Sequence, residues 1–182
     1  MPHLPSLPET ATLLDVFKRF PASARPLLLY HEALMRGPSP FTEGERELIA
    51  AVVSRRNACG YCEGVHAATA RALGEAPARV AAVLDDPVGA RESAELRPVL
   101  AYAEKLTRDP AGVAPADAEA VLAAGWPEQA LFDAVAICAL YNLMNRLVNG
   151  LGIEADAAYF EAAAQRLSTG GYAAMAEALP ER

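Results

Sequence analysis

The sequence predicts an all-α, single-domain protein, and three observations support this prediction. Hydrophobic residues make up 53% of the 182 residues, which is enough for one domain with a buried core. Alanine and leucine dominate that fraction, with little enrichment in β-branched or aromatic residues, and this favours helix over strand. Apolar residues recur with helical spacing in successive segments, and no segment alternates as a strand does.

Proline and glycine mark where the predicted helices begin and end. Residues 1–8 are rich in proline and are expected to form an extended arm. Pro26 suits the first turn of a helix, and Thr42 followed by Glu45 is a capping-box pattern that indicates the start of another. Gly74 is a C-terminal stop. Helices are therefore expected at 9–20, 27–36, 42–56, 59–73 and 77–84.

The second half of the chain shows the same punctuation. Apolar residues from Leu96 to Leu106 follow a period of about 3.6 residues, which is typical of a helix. Pro115 and Pro127 each open a helical segment. Helices are therefore expected at 92–107, 115–125, 128–149, 156–167 and 172–179. The domain is expected to comprise an arm and packing helices in residues 1–41, a core carrying the cysteine motif in 42–155, and C-terminal helices in 156–182.

Charge and termini restrict the classes of function. A formal net charge of −7 and a pI near 5.0 argue against a surface for nucleic acid or for an anionic membrane. No apolar run approaches the roughly 18 residues that span a bilayer, and the N-terminus lacks the basic and apolar stretches of a secretion signal. A cytoplasmic location is therefore expected. In that reducing compartment a close cysteine pair is catalytic or metal-binding rather than structural.

Cys59, Cys62 and His66 stand at i, i+3 and i+7 of a predicted helix, which places them on one face. Two thiols one turn apart can close a disulfide, and an imidazole one turn beyond Cys62 can accept a thiol proton. Glu47 lies on a mostly apolar turn of the preceding helix, where a carboxylate needs a partner. It could hold the imidazole in the right tautomer or pass protons to it.

These residue types indicate a thiol redox site. A thiolate would attack the terminal oxygen of a hydroperoxide, giving a sulfenic acid and an alcohol or water, and the other cysteine would condense with it to a disulfide. His66 or Tyr61, backed by Glu47, would protonate the leaving oxygen. No cofactor is expected. No metal is expected either, since Cys59, Cys62 and His66 supply three ligands where zinc usually takes four.

A family signature is present in residues 45–50, ERELIA, and 53–62, VSRRNACGYC, followed by His66. These segments resemble the core of the alkylhydroperoxidase D (AhpD-like) and carboxymuconolactone decarboxylase superfamily, and most closely its peroxidase-related branch. The resemblance implies an all-helical AhpD-like fold, a homo-oligomer (a trimer or hexamer), and a hydroperoxide as substrate. It also implies an external dithiol reductant, such as a lipoyl-bearing or thioredoxin-like protein.

The resemblance assigns roles to the cluster. Cys62 would be the peroxidatic cysteine and Cys59 the resolving one, and His66 and Glu47 would belong to the proton relay. Tyr61 stands where this relay has a histidine, and a phenol can donate a hydrogen bond but is a poor base at neutral pH. Position at the helix N-terminus favours Cys59 as nucleophile, but a dipole worth roughly 0.3–1 kcal/mol should be outweighed by the specific base next to Cys62.

Three other functions remain open. A general dithiol–disulfide oxidoreductase or redox sensor would use the same cysteines. A cofactor-free carboxymuconolactone decarboxylase-type enzyme, as in the other branch of the superfamily, needs acid and base groups rather than paired thiols. A non-catalytic binding or scaffold protein would leave the thiols incidental.

Residues outside the cluster are interpreted as structural. Cys138 lies on an apolar stripe and is assigned to the core, and His31 is assigned to the surface. Asn142, Asn145 and Arg146 continue the Cys138 face of the longest predicted helix. Polar groups there must be satisfied, and a subunit interface or a buried helix–helix network is preferred over a place in the redox pocket.

Overall fold

The computed structural model describes residues 2–90 and 94–181 of the chain. These residues form ten α-helices, one short 3₁₀ helix (Pro110–Gly112) and no strand, which confirms the all-α, single-domain prediction. In chain order the helices are α1 (Leu13–Arg19), α2 (Pro21–Met35), α3 (Glu43–Arg56), α4 (Gly60–Ala72), α5 (Pro77–Asp85), α6 (Arg97–Arg108), α7 (Pro115–Ala123), α8 (Glu128–Gly150), α9 (Ala157–Gly170) and α10 (Ala173–Glu177).

Helix α3 lies at the centre of the fold and is buried from Arg46 to Ser54. It packs along α4 and also contacts α6 and α8, while α9 packs on α4. The predicted capping box sets its start: the amide of Glu45 donates to the Thr42 hydroxyl at 3.1 Å, and the amide of Thr42 donates to the Glu45 carboxylate at 2.9 Å. The helix that carries Glu47 is therefore fixed at its first turn.

A tight corner joins α3 to α4. Ala58 has a φ of 52°, in the left-handed region that costs a non-glycine residue roughly 1–2 kcal/mol. The amide of Cys59 donates to the carbonyl of Ser54 at 2.9 Å, which closes the corner. Because the chain turns back so sharply, the first two turns of α4 lie against α3, and His66 faces Glu47.

Helices α2 and α6 begin several residues away from their predicted starts. α2 begins at Pro21 rather than at residue 27 and runs through Pro26, because Pro21 occupies the first turn, where a missing N–H costs nothing. α6 begins at Arg97, with Pro98 in its first turn. The predicted start of this helix, Glu92, lies outside the described residues.

The terminal helices are shorter than predicted. α1 begins at Leu13 because Thr12 caps it, with its amide donating to the Asp15 carboxylate at 2.8 Å. α10 ends at Glu177. The division of the domain at residues 41 and 155 stays a prediction.

Helix α8 is the one helix in residues 2–90 and 94–181 that is long and apolar enough to cross a membrane. The sequence-based expectation that no segment reaches this length is wrong for α8. A single helix of this kind is weak evidence for a membrane span, because the core helix of a helical bundle passes the same test. Half of its most apolar stretch is buried inside the fold.

Candidate active site

Glu47 of α3 is completely buried, and three side chains bind its carboxylate. Oε2 lies 2.6 Å from Nδ1 of His66 on α4. Oε1 accepts hydrogen bonds from Nη2 of Arg36 at 2.6 Å and from the hydroxyl of Tyr172 at 3.1 Å. Burial alone would raise the pKa of Glu47, but His66 and then Arg36 hold this pKa below its ordinary value. The carboxylate therefore stays ionised.

The Glu47 carboxylate orients the imidazole of His66. An ionised carboxylate beside Nδ1 keeps the ring proton on that nitrogen, so Nε2 carries the free lone pair. Nothing in the described part of the chain hydrogen-bonds to Nε2, and the ring lines a cavity. The ring also packs edge-on against Tyr141, with centroids 4.4 Å apart. His66 can therefore accept a proton from the side of the cavity.

Two buried tyrosines complete the surroundings of Glu47. The hydroxyls of Tyr141 and Tyr172 lie 3.1 Å apart. Burial raises the pKa of both residues, so both stay protonated and Tyr172 can donate to Glu47. The backbone amide of Tyr172 donates to Glu32 of α2 at 2.7 Å. The C-terminal segment thus closes the site.

Cys59 immediately precedes the first turn of α4, and Cys62 lies within that turn. Both thiols are free and buried. The Cys62 thiol, which hydrogen-bonds to Cys59, lowers the pKa of Cys59 to about 7 against the effect of burial, and the Cys62 amide and the Asn145 side chain contribute. The Cys59 thiol and burial raise the pKa of Cys62 well above its ordinary value. The pair therefore carries its first negative charge near neutral pH.

A cavity of about 60 Å³ lies beside the thiol pair. Its wall is mostly apolar, with Cys62, His66, Tyr61 and His31 among its polar residues. Cys62 is 3% exposed, whereas Cys59 has no exposed surface and is absent from the wall. Cys62 is therefore the sulfur that a small molecule in the cavity meets, even though the lowered pKa belongs to Cys59.

Tyr61 also reaches the cavity, from the first turn of α4. Its hydroxyl donates to that of Tyr159 on α9 at 2.7 Å, and the two rings lie 5.6 Å apart. Burial and then the neighbouring Tyr159 raise the pKa of Tyr61, so its phenol stays protonated. The residue therefore packs and also presents a hydroxyl group, and it can act as a donor but not as a base.

The assignment of His31 to the surface is wrong. The residue is 3% exposed and lies in the wall of the cavity. Leu28, His31 and Met35 share one buried face of α2, at the spacing i, i+3 and i+7, and Ala24 extends this face. That spacing was the signal in the sequence that could have located His31.

Arg36 and Tyr172 were also missed as site residues. Arg36 ends α2 and Tyr172 follows α9, so both reach Glu47 only through the tertiary fold. Neither belongs to a local motif. No sequence signal could have assigned them.

Asn145 of the polar face of α8 lies in a buried helix–helix network, one of the two alternatives predicted for this face, whereas Arg146 is exposed. The Asn145 side chain donates to Ser54 at 3.0 Å and accepts from Asn57 at 2.9 Å, and it also touches the thiol pair. Cys138 is core, with its sulfur 3.2 Å from the Thr107 hydroxyl. Within residues 2–90 and 94–181, no group of three His, Cys, Asp or Glu side chains is placed to hold a metal ion.

Comparison with known proteins gives the family. The model of the carboxymuconolactone decarboxylase family matches residues 21–105. A solved structure described as an alkylhydroperoxidase AhpD core, an uncharacterised peroxidase-related protein from Ralstonia eutropha JMP134, is 30% identical, covers 80% of this chain and 76% of its own, and has a TM-score of 0.74. This chain belongs to the AhpD-like and carboxymuconolactone decarboxylase superfamily.

A second solved structure agrees with this membership. An uncharacterised peroxidase-related protein from Silicibacter sp. TM1040 is 28% identical, covers 81% of this chain and 78% of its own, and has a TM-score of 0.75. No curated protein matches the chain. The family match spans Glu47, Cys59, Cys62 and His66, while Tyr172 lies beyond it. Membership indicates an enzyme of the AhpD and carboxymuconolactone decarboxylase group.

Proposed function

We propose that this protein is a thiol-dependent peroxidase that reduces hydroperoxides through Cys59 and Cys62. One observation carries the proposal: Cys62 and His66 line the same cavity, and the ionised Glu47 holds His66 in the tautomer that can accept a proton. The descriptions of the two solved relatives as peroxidase-related support it.

The first half of the cycle oxidises Cys62. His66 Nε2 accepts the proton of the Cys62 thiol, and Glu47 stabilises the resulting imidazolium. The thiolate attacks the terminal oxygen of the hydroperoxide, so that an S–O bond forms while the O–O bond breaks. The leaving alkoxide then takes the proton from His66. The products are a sulfenic acid on Cys62 and one alcohol, or water when the substrate is hydrogen peroxide.

The second half of the cycle restores the thiols. Cys59 is in hydrogen-bond contact with Cys62, which places it to attack the oxidised sulfur. Its attack on the sulfenic acid forms the disulfide and releases water, with the Cys59 proton going to the departing hydroxide. An external dithiol then reduces the disulfide and is itself oxidised to a disulfide.

The cavity favours a small oxidant over a protein disulfide. Cys62 is almost completely buried, and the space beside it, about 60 Å³, has room for only a few water-sized groups. A hydroperoxide head group fits this space, whereas a folded protein does not. For the same reason a dithiol on a slender arm, as in a lipoyl-bearing protein, suits the reducing step better than a thioredoxin-like domain.

We also propose that the protein is a homo-oligomer located in the cytoplasm. Large apolar side chains are exposed, Phe132, Leu143 and Leu29 among them, and they would be covered in a homo-oligomer, a trimer or hexamer. A reducing cytoplasm suits a protein whose working cysteines must be returned to thiols.

Thiol counting tests the proposed function. A stoichiometric amount of hydrogen peroxide or cumene hydroperoxide is added to reduced protein, and free thiols are measured after denaturation. The native protein should lose two thiols and form an intramolecular disulfide. In Cys59→Ser the reaction should stop at the Cys62 sulfenic acid. Cys62→Ser should show no rapid loss of free thiols.

Cys138→Ser is the matched control, because Cys138 is buried away from the cavity. This variant should still lose two thiols. Unchanged thiol counts in the native protein would refute the peroxidase. A carboxymuconolactone decarboxylase-type activity that survives replacement of both Cys59 and Cys62 would assign the protein to the other branch of the family.

A further inference from the structure

A second histidine, His31, enters the cavity from α2. It is 3% exposed and is one of the polar residues of the wall that Cys62 and His66 share. Its ring stacks at 33° on Tyr172, with centroids 5.0 Å apart, and meets Tyr141 edge-on at 6.0 Å. The cycle described above gives this residue no role.

The tautomer of His31 is fixed by its backbone contact. Nδ1 lies 2.8 Å from the carbonyl oxygen of Leu27. A carbonyl can only accept, so Nδ1 carries the ring hydrogen and Nε2 carries the free lone pair. Within residues 2–90 and 94–181, no group hydrogen-bonds to Nε2. This nitrogen keeps some accessible surface. Because His31 lines the cavity, we infer that the cavity is where this nitrogen can be reached.

The two imidazoles of the cavity have different surroundings. His66 is bound to the ionised Glu47 and can hold a proton taken from a thiol. His31 has a neutral carbonyl as its partner. Burial, aided by His66, lowers its pKa to about 4 against the opposing effects of the Leu27 carbonyl and Glu47. His31 is therefore a permanently neutral hydrogen-bond acceptor at physiological pH.

We propose that His31 binds the hydroperoxide substrate, with Nε2 accepting a hydrogen bond from the terminal O–H and turning the terminal oxygen towards Cys62. This inference rests on the proposed peroxidase function. The terminal O–H is the one group that hydrogen peroxide and every alkyl hydroperoxide share. Its hydrogen stays on the oxygen that is transferred to sulfur, so the acceptor must bind it without removing it. A neutral imidazole of low basicity meets that requirement.

Two substitutions separate this role from a structural one. His31→Phe keeps a ring against Tyr172 but removes the acceptor, and His31→Gln places an amide oxygen where Nε2 lies. The rate constant of Cys62 oxidation by hydrogen peroxide should fall about five- to tenfold in His31→Phe, the loss expected for one hydrogen bond. His31→Gln should retain most of the native rate.

Methyl methanethiosulfonate provides the control reaction, because the same thiolate attacks its sulfur and releases methanesulfinate, but the reagent has no O–H to donate. Its rate with His31→Phe should match that of the native protein. Equal peroxide rates in the native protein and His31→Phe would overturn the inference, and so would a parallel loss of both reactions. A native protein that fails to react with any peroxide would instead overturn the peroxidase function itself.

A spectroscopic measurement avoids any substitution of His31. In the Cys59→Ser/Cys62→Ser protein, which cannot turn over, hydrogen peroxide should shift the ¹⁵N resonance of His31 Nε2 in a saturable manner. The resonance of Nδ1, which remains bound to the Leu27 carbonyl, should hardly move. An Nε2 resonance whose chemical shift does not change on addition of hydrogen peroxide would overturn the proposal.

Discussion

Glu47 carries its charge at a completely buried position, and three donors replace the solvation that burial removes. The position of each donor matters. His66 faces the cavity, whereas Arg36 and Tyr172 bind the other carboxylate oxygen. Arg36 and Tyr172 therefore act through Glu47: they keep its carboxylate ionised and immobile, and this sets the tautomer of His66.

Replacing Glu47 with glutamine tests this chain of contacts. Glu47→Gln keeps the shape of the side chain but leaves the His66 imidazolium without a counter-ion and Arg36 without its buried carboxylate partner. Cys62 oxidation by hydrogen peroxide should slow by roughly 10²-fold or more, the size of a general-base effect. Glu43→Gln is the control, because Glu43 is a partly exposed partner of Arg36, 3.6 Å away, and does not touch His66. A Glu47→Gln protein as fast as Glu43→Gln would contradict the relay.

The ionisation of the thiol pair gives a second prediction. Thiolate absorbance of the reduced protein should titrate with an apparent pKa of about 7, and this first charge belongs to Cys59 rather than to Cys62. Asn145→Ala removes a side chain that lowers the pKa of both cysteines, so the midpoint should move to higher pH. Asn142 lies on the same helix but donates a hydrogen bond to Cys138. Asn142→Ala should therefore leave the midpoint unchanged. A midpoint above pH 8 in the native protein would contradict the lowered pKa of Cys59.

At the scale of elements, the α3–α4 hairpin positions the reacting groups, and α9 holds the hairpin from outside. Gly64 allows this close approach: a Cβ built on it would lie 2.3 Å from the ring of Phe160 on α9. Tyr159, the hydrogen-bond partner of Tyr61, is the neighbour of Phe160. The packing of α9 on α4 and the shape of the cavity are therefore coupled.

Gly64→Ala should therefore destabilise the fold by about 1–3 kcal/mol, the usual cost of overpacking, as measured by urea unfolding. The matched control is Gly60→Ala at the start of the same helix, where a Cβ would meet nothing within 4 Å. That change should stabilise the protein by roughly 0.4–1 kcal/mol, because it restricts the unfolded chain. Equal stabilities for the two variants would show that Phe160 moves aside without cost.

Local signals predict the central elements of this fold well. The capping box at Thr42 and the Cys59–Cys62–His66 spacing place α3, α4 and the chemistry they carry. The sequence does not reveal what completes the site. Arg36 and Tyr172 reach Glu47 through long-range packing, and no periodicity encodes a contact between segments so far apart in the chain. His31 lies within the predicted helix 27–36 at helical spacing from Leu28 and Met35, and that periodicity could have placed it on the buried face.

At the scale of the whole molecule, His31 links stability to pH. Its pKa is about 4 in the folded protein and 6.5 for the ordinary side chain. Between pH 4 and pH 6.5, His31 binds a proton in the unfolded chain but not in the folded protein. Its contribution to the free energy of unfolding is therefore fully present above pH 6.5 and is lost as the pH falls towards 4. The free energy of unfolding should drop by about 2 kcal/mol between pH 7 and pH 5 from this residue alone.

Urea unfolding of the native protein and His31→Gln at both pH values measures this link. The difference between pH 7 and pH 5 should shrink by that amount in His31→Gln, whatever the absolute stability of the variant. His66 and the carboxylates are present in both proteins, so the comparison reports the loss of His31 together with its electrostatic coupling to His66 and Glu47. The same pH dependence in both proteins would mean that His31 is not buried as described.

The central claim is that Cys62 reacts with hydroperoxides because His66, held by Glu47, takes its proton. The most direct measurement is the second-order rate constant of Cys62 oxidation by hydrogen peroxide at neutral pH, compared between the native protein and His66→Ala by stopped-flow. The native rate should lie far above that of a free thiol, and His66→Ala should lose roughly 10²–10⁴-fold of it. A native rate equal to that of a free thiol, or a His66→Ala variant as fast as the native protein, would contradict it.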